Sequence, residues 1–197
     1  MALLFGLLWP IQLWNDTVLK LGRAIAIVAI GLMVVAILVQ VFFRYFLGNA
    51  LSWPDEAARF FMLWMTGFMA PLAYRRGGFV AIDMVLVAMP PRLGAIVSLL
   101  LLLISGVVLW YAVVIGWAEI TGFGGRFTTD ALYLPTSLTF DSWFRVPRSW
   151  MMASLFVGVV LLFIVNLELI LRTCITLLGG EDRLTPIAAG AEEIRAE

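Results

Sequence analysis

Residues 24–43 read AIAIVAIGLMVVAILVQVFF, twenty residues in which Gln40 is the one strongly polar side chain. At a helical rise of ~1.5 Å per residue such a block is about 30 Å long, the thickness of a bilayer's hydrocarbon core. In lipid every backbone N–H and C=O has to be satisfied inside the segment, and a helix does that without help. Lys20 and Arg23 precede the block and Arg44 follows it, so charge brackets the apolar run at both ends. The stretch predicts a membrane-spanning helix over residues 20–46 and sets the class of the chain, an all-α integral membrane protein.

Composition points the same way. Of 197 residues, 63% are hydrophobic and only 13% charged, and the mean hydropathy is +1.03. Soluble domains carry about 25% charged residues, so half the expected charge is missing. The 13 basic and 13 acidic residues balance, and no concentrated basic footprint marks a nucleic-acid surface. Cys174 is the single cysteine, which excludes an intramolecular disulfide, and no Cys/His spacing suggests a metal site. The absence of histidine excludes His-ligated haem, His proton relays and His-based general catalysis. What remains is a scaffold, a channel, part of a transporter, or an enzyme built on carboxylates.

Outward from the first span, residues 2–14 are apolar but short and interrupted by Pro10. They lack the basic flank and small-residue cleavage site of a secretory signal. They are read as an interfacial stretch anchored by Trp9 and Trp14. The second span is less direct. Between Arg59 and Arg75 lie only 15 uncharged residues, about 22 Å of helix. Upstream, Ser52-Trp53-Pro54-Asp55-Glu56 reads as a helix start: a capping hydroxyl, a first-turn proline, and acids at the positive end of the dipole. A helix over residues 53–74 is about 33 Å long and crosses, with a kink expected near Pro71. Residues 79–89 are too short to cross and are read as interfacial, with an extension of the third helix as the alternative. Residues 93–118 and 148–172 supply the third and fourth spans, Glu168 and Arg172 forming an i,i+4 pair at the last helix end. Residues 1–178 thus form one four-helix membrane domain, with an external loop at 119–147 and a disordered cytoplasmic tail at 179–197.

Basic residues orient the chain. Lys20, Arg23, Arg75, Arg76, Arg92, Arg172, Arg183 and Arg195 fall on one side; Arg44, Arg59, Arg126, Arg145 and Arg148 fall on the other. The first group marks the cytoplasm, which places both termini inside. The densest polar group is Arg44, Asp55, Glu56 and Arg59. Asp55 to Arg59 is an i,i+4 step and Glu56 to Arg59 an i,i+3 step, so these residues share one flank of the second helix. The expected role is a structural ion-pair clasp that also serves subunit contact; a substrate or ion site is the sharper alternative. Trp53 and Trp64 belong to an aromatic stripe read as packing and interface anchoring. Gly31, Gly106 and Gly116 form no close-packing motif. The loop aromatics are expected on the membrane interface, with a docking surface for an external protein as the other possibility. No catalytic, metal or cofactor site is assigned.

The stretch Arg44-Tyr45, Gly48, Trp53, Asp55-Glu56, Arg59, Trp64, Gly67 and Ala73-Tyr74-Arg75-Arg76-Gly77-Gly78, running on to Asp83, resembles the small membrane subunit of tripartite ATP-independent periplasmic (TRAP) transporters. Phe79 stands where that family commonly has histidine, so whatever the histidine does is lost here. The resemblance implies an inner-membrane, multi-pass chain that does no chemistry. It implies as partners a large membrane subunit, which carries sodium and the solute, and a periplasmic binding protein, which delivers a solute commonly of organic-acid type. It makes Arg44, Glu56 and Arg59 a clasp near the periplasmic side, and Arg75, Arg76 and Asp83 a cytoplasmic-loop motif. Two other readings stand beside it: a small membrane enzyme using Asp55, Glu56 or Asp130, and a membrane anchor for a respiratory complex, which the missing histidines weaken.

Overall fold

The computed structural model describes residues 2–49, 51–77, 90–135, 143–180, 184 and 187. Four helices carry the fold: α1 (Ala2–Tyr45), α2 (Trp53–Arg75), α3 (Pro91–Thr121) and α4 (Ser149–Leu177). Three of them, α1, α3 and α4, are long and apolar enough to cross a membrane. α2 has 23 residues, about 34 Å of helix, and carries its charges near its two ends.

α1 corrects one expectation. Pro10 does not separate an interfacial segment from the first span; it lies inside one helix of 44 residues, about 66 Å long. The proline removes a single backbone hydrogen bond, and packing on both sides of it offsets that loss. Leu8, Asn15, Leu19, Ala26, Ala29 and Ala36 are all buried. Their separations of 7, 4, 7, 3 and 7 residues make one coiled-coil-like seam. The small alanines let the neighbouring backbone come close, as apolar helices in lipid require. Against this seam lies α2, with Gly22 facing the Phe68 ring.

The helices lie side by side in the order α1, α2, α4, α3, and α1 also touches α4. The α2–α4 crossing is the tightest: a Cβ on Gly67 would stand 2.5 Å from the Ser154 carbonyl oxygen, and one on Gly158 2.8 Å from Gly67 Cα. Gly106 and Gly116, dismissed on sequence spacing, each admit a side chain of α4: Asn166 at the first and Phe156 at the second. They face α4 one at a time, so no spacing motif relates them.

Helix ends follow local chemistry. α2 begins at a proline-containing turn with Asp55 and Glu56 in it, but the expected hydroxyl cap is not made by Ser52; the negative charges of the two acids sit at the positive end of the helix dipole. α4 ends in a Schellman motif: Gly180 N–H donates to Ile175 O (3.0 Å), Gly179 N–H to Thr176 O (3.0 Å), and Gly179 takes a φ of 77°.

The segment between α3 and α4 adds a two-stranded hairpin, not expected from the sequence, to the otherwise all-helical fold. A 3-10 turn at Phe123–Arg126 leads into β1 (Thr128–Pro135), paired antiparallel with β2 (Trp143–Pro147). Thr, Tyr, Val and aromatic residues favour a pleated, half-covered surface. Thr129 and Val146 are buried beneath it and linked by a bond from Thr129 Oγ1 to Val146 O (2.7 Å). Residues 79–89, read as interfacial, and most of the 179–197 tail lie outside the described residues.

Candidate functional site

Polar side chains gather at two levels of the bundle. At one end a junction forms around Glu168, which is 0% exposed although carboxylates are almost never fully buried unless paired. Three helices supply its donors. Asn15 Nδ2 of α1 donates to Oε2 (2.6 Å), Arg75 Nη2 of α2 donates to Oε1 (2.8 Å), and Arg172 Nε of α4 donates to the same oxygen (3.0 Å). Arg75 also pairs with Asp16 of α1. Two guanidinium groups thus face two carboxylates, and the junction is neutral overall.

Two residues earlier in α4, Asn166 is also fully buried. Its Oδ1 accepts from Tyr74 Oη of α2 (2.6 Å), and its Nδ2 donates to the Leu102 carbonyl of α3 (3.1 Å). Gly106 makes the second bond possible, because a Cβ there would meet Nδ2 at 3.0 Å. Between them, Glu168 and Asn166 tie α4 to all three other helices.

At the opposite end the expected clasp takes another form. Glu56 does not close on Arg59. Its carboxylate accepts the backbone N–H groups of Asp130 (3.0 Å) and Ala131, anchoring β1 to the first turn of α2. Asp55 accepts from Gln40 Nε2 of α1 (3.4 Å). Among the described residues, Arg44 and Arg59 close no ion pair with either acid. The i,i+3 step puts Glu56 and Arg59 on one flank, but two oriented backbone amides satisfy a carboxylate more fully than one flexible arginine near water.

The aromatic stripe of α2 is continuous. Trp64 lies between Phe60 and Phe68 in tilted ring contacts, with centroids at 6.3 and 5.5 Å, and Trp53 is exposed at the helix start. On the hairpin, Arg145 lies over the Tyr133 ring at 4.9 Å. Its guanidinium is raised above its usual value by hydrogen bonding to the Tyr133 hydroxyl, so it stays a cation. Asp83 and Phe79 lie outside the described residues; Arg76 ends α2 beside Arg75, its N–H donating to Leu72 O (3.2 Å).

The Glu168–Arg172 pair and Arg75 were legible from sequence as separate features. That they share one centre was not, and Asn15, Asp16, Tyr74 and Asn166 were missed. Asn166 offered a signal, a lone amide in the apolar run LLFIVNLELIL; Asn15 and Asp16 were hidden by the assignment of an independent N-terminal segment.

Chemically, these groups hold helices together. Every oxygen of Glu168 is engaged, and no group of three or more His, Cys, Asp or Glu side chains gathers as a metal site among the described residues. A protein-family comparison decides the identity: residues 33–175 match the DctQ component of tripartite ATP-independent periplasmic transporters. The chain belongs to this family. Comparison with curated proteins and with solved structures gave no match. The protein is therefore a small TRAP transporter subunit of the inner membrane, a transport component in a family that is not one of enzymes. The matched range of this DctQ-family chain includes Tyr74, Arg75, Asn166, Glu168 and Arg172, while Asn15 and Asp16 lie upstream of it.

Proposed function

We propose that this subunit is a stationary membrane scaffold for the large TRAP membrane subunit, in a transporter that imports an organic-acid-type solute with sodium. In this reading a periplasmic binding protein delivers the solute, and the large subunit alone holds sodium and solute. The chain crosses four times, with α2 as the second span, both termini and the Glu168 junction in the cytoplasmic half, and the hairpin outside.

One observation carries the reading. The fully buried Asn15, Asn166 and Glu168 are engaged in tying the bundle's own helices together, while apolar faces stay uncovered, most of all along α3. A transport path needs polar groups at the bilayer midplane, commonly on a broken helix. Here the described spans are continuous helices, and their uncovered apolar surface suits lipid or a neighbouring membrane subunit. Co-expression with the large subunit, followed by affinity purification in mild detergent, tests the scaffold role. A stable complex of the two is expected; separation of the chains under conditions that keep each folded argues against it. A reporter active only in the cytoplasm, fused after Gly78, should be active, and silence there overturns the orientation.

A further inference from the structure

The segment between α3 and α4 is tethered low. Glu56 is the fourth residue of α2, about 5 Å into that helix, and it holds the amides of Asp130 and Ala131 in β1. Arg148 N–H, at the start of α4, donates to Phe127 O (2.8 Å). Gly125 packs so closely under α3 that a Cβ would come within 2.4 Å of Ile120 O. The strands are thus bound beside the helix ends, at their level. The exposed side chains here are aromatic: Trp143 and Phe144, which leave opposite faces of β2, Phe123 and Phe127 ahead of β1, and Trp150 in α4 are between 43% and 77% exposed. Phe123 and Phe127 meet edge to face at 5.3 Å, and Phe144 meets Trp150 of α4 at 6.2 Å.

We propose that these strands run parallel to the membrane plane in the headgroup region of the bilayer as a lipid-interface anchor, with aromatic side chains of both faces at the boundary between acyl chains and water. The occupant of the aromatic surface is phospholipid. Two arguments favour lipid over a protein. Phe144 is continuous with the apolar surface of α4 through its contact with Trp150. Trp143 stands four residues from Pro147 in β2, about 13 Å of strand; a hairpin standing along the membrane normal would lift Trp143 that far into water. Tryptophan at the interface keeps its ring among acyl chains and its N–H among headgroups. Exposed Arg145 and Arg148 on the same elements are placed to meet lipid phosphates. The consequence is a fixed depth for α2: through Glu56 the anchor sets how far that helix is immersed.

The test uses the full chain reconstituted in phosphatidylcholine vesicles. Tryptophan emission of the wild type minus that of Trp143→Phe isolates the Trp143 contribution. Bromine placed on acyl carbons near the glycerol should quench that component at least twofold, and aqueous iodide should leave it nearly untouched. Free quenching by iodide with no effect of bromolipid overturns the proposal. A nitroxide at Phe144→Cys, in a Cys174→Ser background, gives an independent reading: collision with oxygen should exceed collision with a water-soluble nickel chelate. The reverse order, or protection that arises only on adding the periplasmic binding protein, assigns the surface to water or to that protein and contradicts the lipid anchor.

Discussion

Glu168→Ala leaves Arg75 and Arg172 without their shared, fully buried carboxylate. Removing one partner of a buried ion pair costs about 3–5 kcal/mol, because the remaining charge is stranded. The denaturation midpoint in detergent should fall accordingly. Asp16→Ala removes a partner of Arg75 that is 53% exposed, and a solvated pair contributes less than ~1 kcal/mol. Equal losses for the two variants would show that the junction is not organised around Glu168. At the other end, Glu56→Ala should speed hydrogen exchange at the Asp130 and Ala131 amides by tenfold or more, since each loses its acceptor. Arg59→Ala should leave those amides unchanged. A double-mutant cycle between Glu56 and Arg59 should be additive within ~0.5 kcal/mol, as for residues with no shared interaction; a larger coupling would restore the ion-pair clasp.

Helix packing rests on close approach. Gly158→Val places its branched carbons where Gly67 Cα and O already are, so α2 and α4 must separate, at a cost of ~1–3 kcal/mol. Gly31→Ala, where an added Cβ meets nothing within 4 Å, should change the midpoint by less than ~0.5 kcal/mol. A midpoint for Gly158→Val as high as that of Gly31→Ala would remove the α2–α4 crossing from the account. The existence and type of α2, α3 and α4 were legible because each is a long apolar run framed by charge, proline or glycine. α1 was misjudged at Pro10, where a local rule about helix breakers outweighed a seven-residue seam whose small members have low hydropathy contrast with their neighbours. The hairpin was invisible because β-propensity depends on what the strand packs against, and α2's Glu56 is distant in sequence from β1.

For the assembled chain, the family was readable from Arg44 through Asp83, a stretch rich in charged and glycine positions, while the rest matched only as hydropathy. The pairing of distant polar residues was not readable. Asn15, Arg75 and Glu168 are separated by 60 and 93 residues (75 − 15 and 168 − 75), and each alone looks like a residue near a membrane boundary. Their convergence engages Asn15, Asn166 and Glu168, the fully buried amides and carboxylate among the described residues, in contacts between the bundle's own helices, and the scaffold role proposed above rests on this. Solute uptake into proteoliposomes under an inward sodium gradient tests it most directly, with the binding protein present and the two membrane subunits reconstituted separately and together. Uptake only with both membrane subunits present is the expected result; uptake by this chain without the large subunit would contradict the scaffold account.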